Sequence, residues 1–130
     1  MPLPLVTLRR AQLERLGAAM MDEFQLRLEQ HVRLVFPRRT AALGDDGVRA
    51  LIAKGVRRAQ ELRLSTERGV TRFTDLLFAF GEDFESRGGL AWMSAILQDV
   101  SRSEDARLYL VWTQLPERCP TSLEDAPEAA

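Results

Sequence analysis

Residues 68–85 read RGVTRFTDLLFAFGEDFE, and this stretch decides the fold. Val70, Phe73, Leu77, Phe80 and Phe84 recur at steps of three and four, which places them on one stripe of an α-helix. Four of the six phenylalanines of the chain lie here (Phe73, Phe78, Phe80, Phe84), and Glu82, Asp83 and Glu85 close the segment. The pattern specifies a buried helix with a charged exit. It specifies no reaction.

Working outward, Ser65 or Thr66 starts this helix and Gly81 weakens or ends it. Upstream, Asp45 or Asp46 caps a helix whose apolar face carries Val48, Leu51, Ile52, Gly55, Val56, Ala59 and Leu62. Gly55 on that face costs about 1 kcal/mol relative to Ala; close approach of another helix accounts for it. The segment after Pro37, RRTAALG, forms one helical turn or two. Before it, Thr7 caps a long helix running to about Phe36, with Leu13, Leu16, Met20, Phe24, Leu28, Val32 and Val35 or Phe36 as core stripe. At 1.5 Å per residue that helix is roughly 40 Å long, more than one small domain needs. It therefore projects or is shared with a second subunit. Pro37 terminates it, because the residue before a proline is pushed out of the helical region.

Downstream, Gly88-Gly89 marks a turn and Leu90–Gln98 a short apolar helix. Ser101 and Glu104 fit a capping box for a last helix through about Leu115, with Leu108, Val111, Trp112 and Leu115 facing inward. Beyond it, PERCPTSLEDAPEAA is proline-rich, acidic and short of large apolar residues. The expected architecture is an all-α single-domain bundle of five or six helices. Its parts are an extended lead-in over residues 1–6, a helical domain over residues 7–115 and a disordered tail over residues 116–130.

The 130 residues fall in the range of one domain with a single core. No apolar run is longer than that of Leu76–Phe80, which is far below the roughly 20 residues that span a bilayer. The opening MPLPLVTLRR has its apolar residues before its basic pair, the reverse of a secretory signal, so a cytoplasmic location is expected. Cys119 and His31 are the only residues of their kinds, which excludes a Cys/His zinc site within one chain. No nucleophile motif accompanies His31.

Net charge is −1 and unevenly spread. Eleven basic residues face five acidic ones between Arg27 and Arg72; seven acidic residues face Arg87 and Arg102 between Asp75 and Asp105. Arg57, Arg58, Arg63, Arg68 and Arg72 could meet phosphates, and LRLST could join a helix-turn-helix. The second helix would then be the aromatic one, too apolar to read base edges. Paired carboxylates such as Glu82 and Glu85 can hold a cation, but neither Glu-x-x-His nor EF-hand spacing is present. Asp75, in the most apolar helix, needs a partner, for which Arg72, Arg57 or Arg58 is expected.

One resemblance adds to this reading. Phe36-Pro37, then Leu43-Gly44, then IAKGVRRAQELRLSTERGV, DLLFAFGEDFE and LAWMSAILQD follow one another in order. From Leu34 to about Leu110 the chain thereby resembles a group of small helical proteins encoded near bacterial type VI secretion genes. The resemblance implies a partner of secretion components or their toxic cargo and carries over no catalytic residue.

The reading is therefore a non-enzymatic accessory or adaptor protein, without cofactor or metal, that binds another protein of a secretion-associated locus. Glu82, Asp83, Glu85, Trp92 and Trp112 are its candidate contact residues, and a homodimer through the long first helix is a further expectation. The alternative is an immunity protein whose Glu82, Asp83, Glu85 and Asp99 cover the basic active site of a toxin. A nucleic-acid-binding regulator and an enzyme or metal protein using Asp75, Glu82 and His31 rank behind both.

Overall fold

The computed structural model describes residues 20–118. The extended lead-in, the helix start at Thr7, Cys119 and the tail from residue 119 onward lie outside the described residues. The described chain is all-α: α1 (residues 20–35), α2 (Pro37–Glu61), α3 (Glu67–Phe80), α4 (Ala91–Leu97) and α5 (Glu104–Arg118). Two 3₁₀ turns, Phe84–Ser86 and Gly88–Leu90, join α3 to α4. Within α2 the backbone breaks at Gly44 (φ 74°, ψ 170°), a left-handed conformation that glycine adopts without a Cβ penalty. Counting both sides of that break gives six helical segments.

On α1 and at the residue that follows it, Phe24, Leu28, Val32 and Phe36 step by four and are buried. Met20, assigned to the stripe from sequence, is 66% exposed, and Phe36 rather than Val35 completes it. Phe36 leaves the helical region (φ −124°, ψ 62°) and Pro37 opens α2, where its missing N–H needs no partner.

At its far end α2 closes with the Leu64 N–H on the Ala59 carbonyl and the Arg63 N–H on the Gln60 carbonyl. This is a Schellman motif, with Arg63 (φ 61°) in the left-handed position where glycine is usual.

α3 is the central helix. Thr66 caps it by accepting from the Gly69 N–H at 2.9 Å, and Gly81 (φ 103°) ends it. Leu76 to Phe80 are all buried, so its second half is covered on every side. The apolar stripe does not continue as helix to Phe84. That residue enters the core from the following 3₁₀ turn, its ring 5.8 Å from Phe73, while Phe78 stacks 6.0 Å from Phe36.

Gly55 of α2 lies against α3. A Cβ there would sit 2.8 Å from Thr74 Oγ1 and 3.1 Å from Leu77 Cδ1, the close approach expected from its place on the apolar face. Gly55→Val should therefore destabilise the fold by about 1–3 kcal/mol through overpacking, which outweighs the few tenths gained in helix propensity. Urea unfolding reads the difference, and a neutral result would mean that the two helices can separate freely.

The start of α5 differs from the sequence reading. Ser103, not Ser101, caps it, accepting from the Ala106 N–H at 3.1 Å. Glu104 turns away and accepts from the Ser65 N–H at 2.6 Å, the Thr66 N–H at 3.3 Å and the Thr66 hydroxyl. Burial raises the Glu104 carboxyl, but those hydrogen bonds outweigh it and hold it below its ordinary value of 4.5. The stability it contributes is thus complete above that value and lost as pH falls through the lowered one. Between neutrality and strong acid, Glu104→Gln should lose less stability than the native chain, as read by thermal melts across the pH series.

At its other end α5 continues through Pro116 to Arg118, three residues past Leu115. Residues 116–118 thus belong to the helix and not to the tail in which the sequence placed them.

Candidate interaction surface

Of the five contact residues expected from sequence, the three acids lie together after α3, and the two tryptophans stand on α4 and α5. Glu82 and Asp83 are exposed in the turn that follows α3, where Glu82 meets Lys54 at 3.4 Å and Asp83 meets Arg87 at 3.9 Å. Glu85 is half-buried and committed: both its oxygens accept from Arg58, at 2.8 and 3.0 Å, and Ser94 Oγ donates to it at 2.9 Å. Arg58 is held still more firmly protonated by the hydrogen bond to Glu85, with Glu61 adding to it. Asp99 pairs with Arg102 at 3.1 Å. Each acid of the surface assigned to toxin binding therefore already faces a basic residue of its own chain. Lys54, Arg57, Arg58, Glu61, Glu82 and Glu85 line a groove of about 350 Å³ with equal numbers of cations and anions.

Asp75 finds its partner on α1. His31 Nε2 and Asp75 Oδ1 are 2.8 Å apart, which links α1 to α3. Burial raises the Asp75 carboxyl; His31, and Arg72 through its charge, oppose the rise. Arg58, one of the partners expected for Asp75, belongs to Glu85 instead. Glu82, grouped with Asp75 and His31 from sequence, pairs with Lys54 and not with them. Among the described residues, His31 has no hydroxyl or thiol partner, and no group of three or more His, Cys, Asp and Glu stands where a metal ion could be held.

The two tryptophans are half-buried, each with one face covered by an arginine. Arg118 lies 4.9 Å from the Trp92 ring centre and Arg72 lies 5.5 Å from that of Trp112. A guanidinium over an indole face is attracted by the ring quadrupole, by about 0.5–1 kcal/mol at exposed sites. Trp112 belongs to a cleft of about 370 Å³ between α3 and α5, which Arg68, Arg72, Asp105, Leu108 and Tyr109 also line.

Tyr109 is 69% exposed. Its signal was present in the sequence: Asp105, Tyr109 and Trp112 step by four and three along the side of α5 opposite Val111. Arg68 has no hydrogen-bond or ion-pair partner among the described residues, so its guanidinium is available at the rim.

The helix pair considered across LRLST is α2 and α3, joined by residues 62–66. Its second helix is the centre of the core, and of the five arginines considered for phosphate contact Arg58 is tied to Glu85 and Arg72 to Trp112. On the outer side of α1, Leu26 and Leu34 are exposed. Among the described residues no helix is long and apolar enough to cross a membrane. The chain matches no protein-family model, no curated protein and no solved structure.

Proposed function

We propose that this chain is a non-enzymatic adaptor that binds another protein through the cleft between α3 and α5. The observation that carries the reading is the exposed Tyr109 beside the Arg72–Trp112 stack. Tyrosine, tryptophan and arginine are the residue types that dominate the energetics of protein contacts, and here all three meet at one opening. The resemblance of residues 34–110 to proteins encoded near type VI secretion genes supports a secretion component or toxin effector as the partner.

Tyr109→Ala is the informative variant, since an exposed side chain can be removed without disturbing the core. With the native chain as bait and neighbouring gene products as prey, we expect a stable complex that Tyr109→Ala weakens by roughly 10- to 100-fold. A native chain that captures none of them, or a variant that captures them equally well, rejects the proposal.

A further inference from the structure

We propose that the α3–α5 cleft selects an acidic amphipathic helix of the partner, whose carboxylates meet Arg68 and Arg72 while one apolar side chain seats against Trp112 and Tyr109. This rests on the reading of the cleft as the partner-binding surface.

Two walls bound the cleft. Arg68 and Arg72 are four residues apart on α3, so their side chains leave the helix on one face, about 6 Å apart along its axis. Carboxylates three or four residues apart on a facing helix have the same spacing. Arg68 has no partner among the described residues, and Arg72 contacts the Trp112 ring without an ion pair. Both guanidinium groups therefore retain N–H donors for bidentate carboxylate binding. The opposite wall carries Asp105, exposed and likewise without a partner among the described residues. Two cations on α3 against one anion on α5 give the cleft a polarity: the acidic side of an incoming helix lies toward α3, and its neutral or basic side toward α5.

The floor sets the rest. Leu108, Trp112 and Tyr109 are apolar and aromatic, and a volume of about 370 Å³ accommodates a large side chain or two but not a whole helix. The partner thus lies across the opening and inserts one ridge. A nucleic-acid strand fits this arrangement worse, because its backbone carries a negative charge at every nucleotide and Asp105 would stand against it.

The test uses the full chain and three labelled probes: a helical peptide of Glu and Leu at amphipathic spacing, its counterpart with every Glu replaced by Lys, and a single-stranded DNA. Fluorescence anisotropy should show the Glu/Leu peptide binding, weakening about tenfold in Arg68→Glu and weakening as salt rises. Asp105→Asn should tighten it a few-fold. Absence of binding by the Glu/Leu peptide, stronger binding of the Lys peptide or of the DNA, or indifference to Arg68→Glu each overturns the acidic specificity. Failure here is separable from failure of the adaptor reading. A natural partner captured in a Tyr109-dependent way but insensitive to Arg68→Glu would keep the cleft as contact surface and remove its preference for acid.

Discussion

Phe73→Ala is expected to lower the stability of this protein by about 3–5 kcal/mol, the usual cost of truncating a fully buried phenylalanine. Phe73 is fully buried and its ring lies 5.8 Å from that of Phe84 at an interplanar angle of 50°. The loss has two parts, the transfer of the ring itself and the cavity left where the neighbours cannot collapse. Collapse is restricted here because Phe84 stands on a 3₁₀ turn whose next residue, Glu85, is held by Arg58 and Ser94. A domain of this size has only about 5–15 kcal/mol in total, so the variant stands near the limit of folding. Denaturant unfolding should show the midpoint falling with little change in slope. Phe73→Leu, which keeps most of the volume, should cost less than half as much; equal losses would mean that the site does not depend on packing.

Arg107→Met is expected to cost about 2–4 kcal/mol although methionine nearly conserves the volume and is itself suited to a buried site. Arg107 is 3% exposed, and its NH1 donates at 2.7 Å both to the Leu62 carbonyl and to the Leu97 carbonyl. Those carbonyls end α2 and α4, where the last carbonyls of a helix have no partner of their own and the helix dipole is negative. One guanidinium thus satisfies two helix ends at once, and their partial charges substitute for a carboxylate counter-ion.

Two effects oppose each other in the substitution. Removing a buried charge relieves its desolvation, while two buried acceptors lose their donor at about 1–3 kcal/mol each. The second prevails because neither carbonyl has water to turn to at that depth. A loss below about 1 kcal/mol in urea unfolding would show that the carbonyls find other donors, and would reassign Arg107 to packing alone.

What the sequence made legible was local. Thr66, Gly81 and Pro37 act within one or two turns of their own position, and each does what its residue type and spacing predict; Gly55 betrayed a helix contact, though not which helix made it. The long-range pairs are of a different kind. His31–Asp75 spans 44 residues, Arg58–Glu85 spans 27, and Arg107 meets Leu62 across 45. Which of several arginines meets a given carboxylate depends on helix crossing, which no periodicity records.

Arg107 left one trace in the sequence: it stands four residues before Val111 and eight before Leu115, a charge on the buried stripe. At Pro116 a local rule lost to packing. Leu115 is buried and Arg118 covers Trp92, and these contacts carry the helix past a residue that disfavours it.

The candidate site was half legible. Trp112 was named and Tyr109 lies one turn before it on the same helix, but Arg68 and Arg72 became their companions only through the juxtaposition of α3 and α5.

The clasp between Glu104 and Thr66 has a mechanical consequence. The signal that starts α3 is divided between two helices, with the hydroxyl that accepts from Gly69 on one and the carboxylate that holds that hydroxyl on the other. The clasp joins the same two helices that form the walls of the cleft, and Asp105 is the next residue after Glu104. A guest that wedges α3 and α5 apart must strain the first turn of α3, and one that draws them together must tighten it. Any displacement of α5 against α3 would thereby be felt first at the beginning of the helix on which the rest of the core is built.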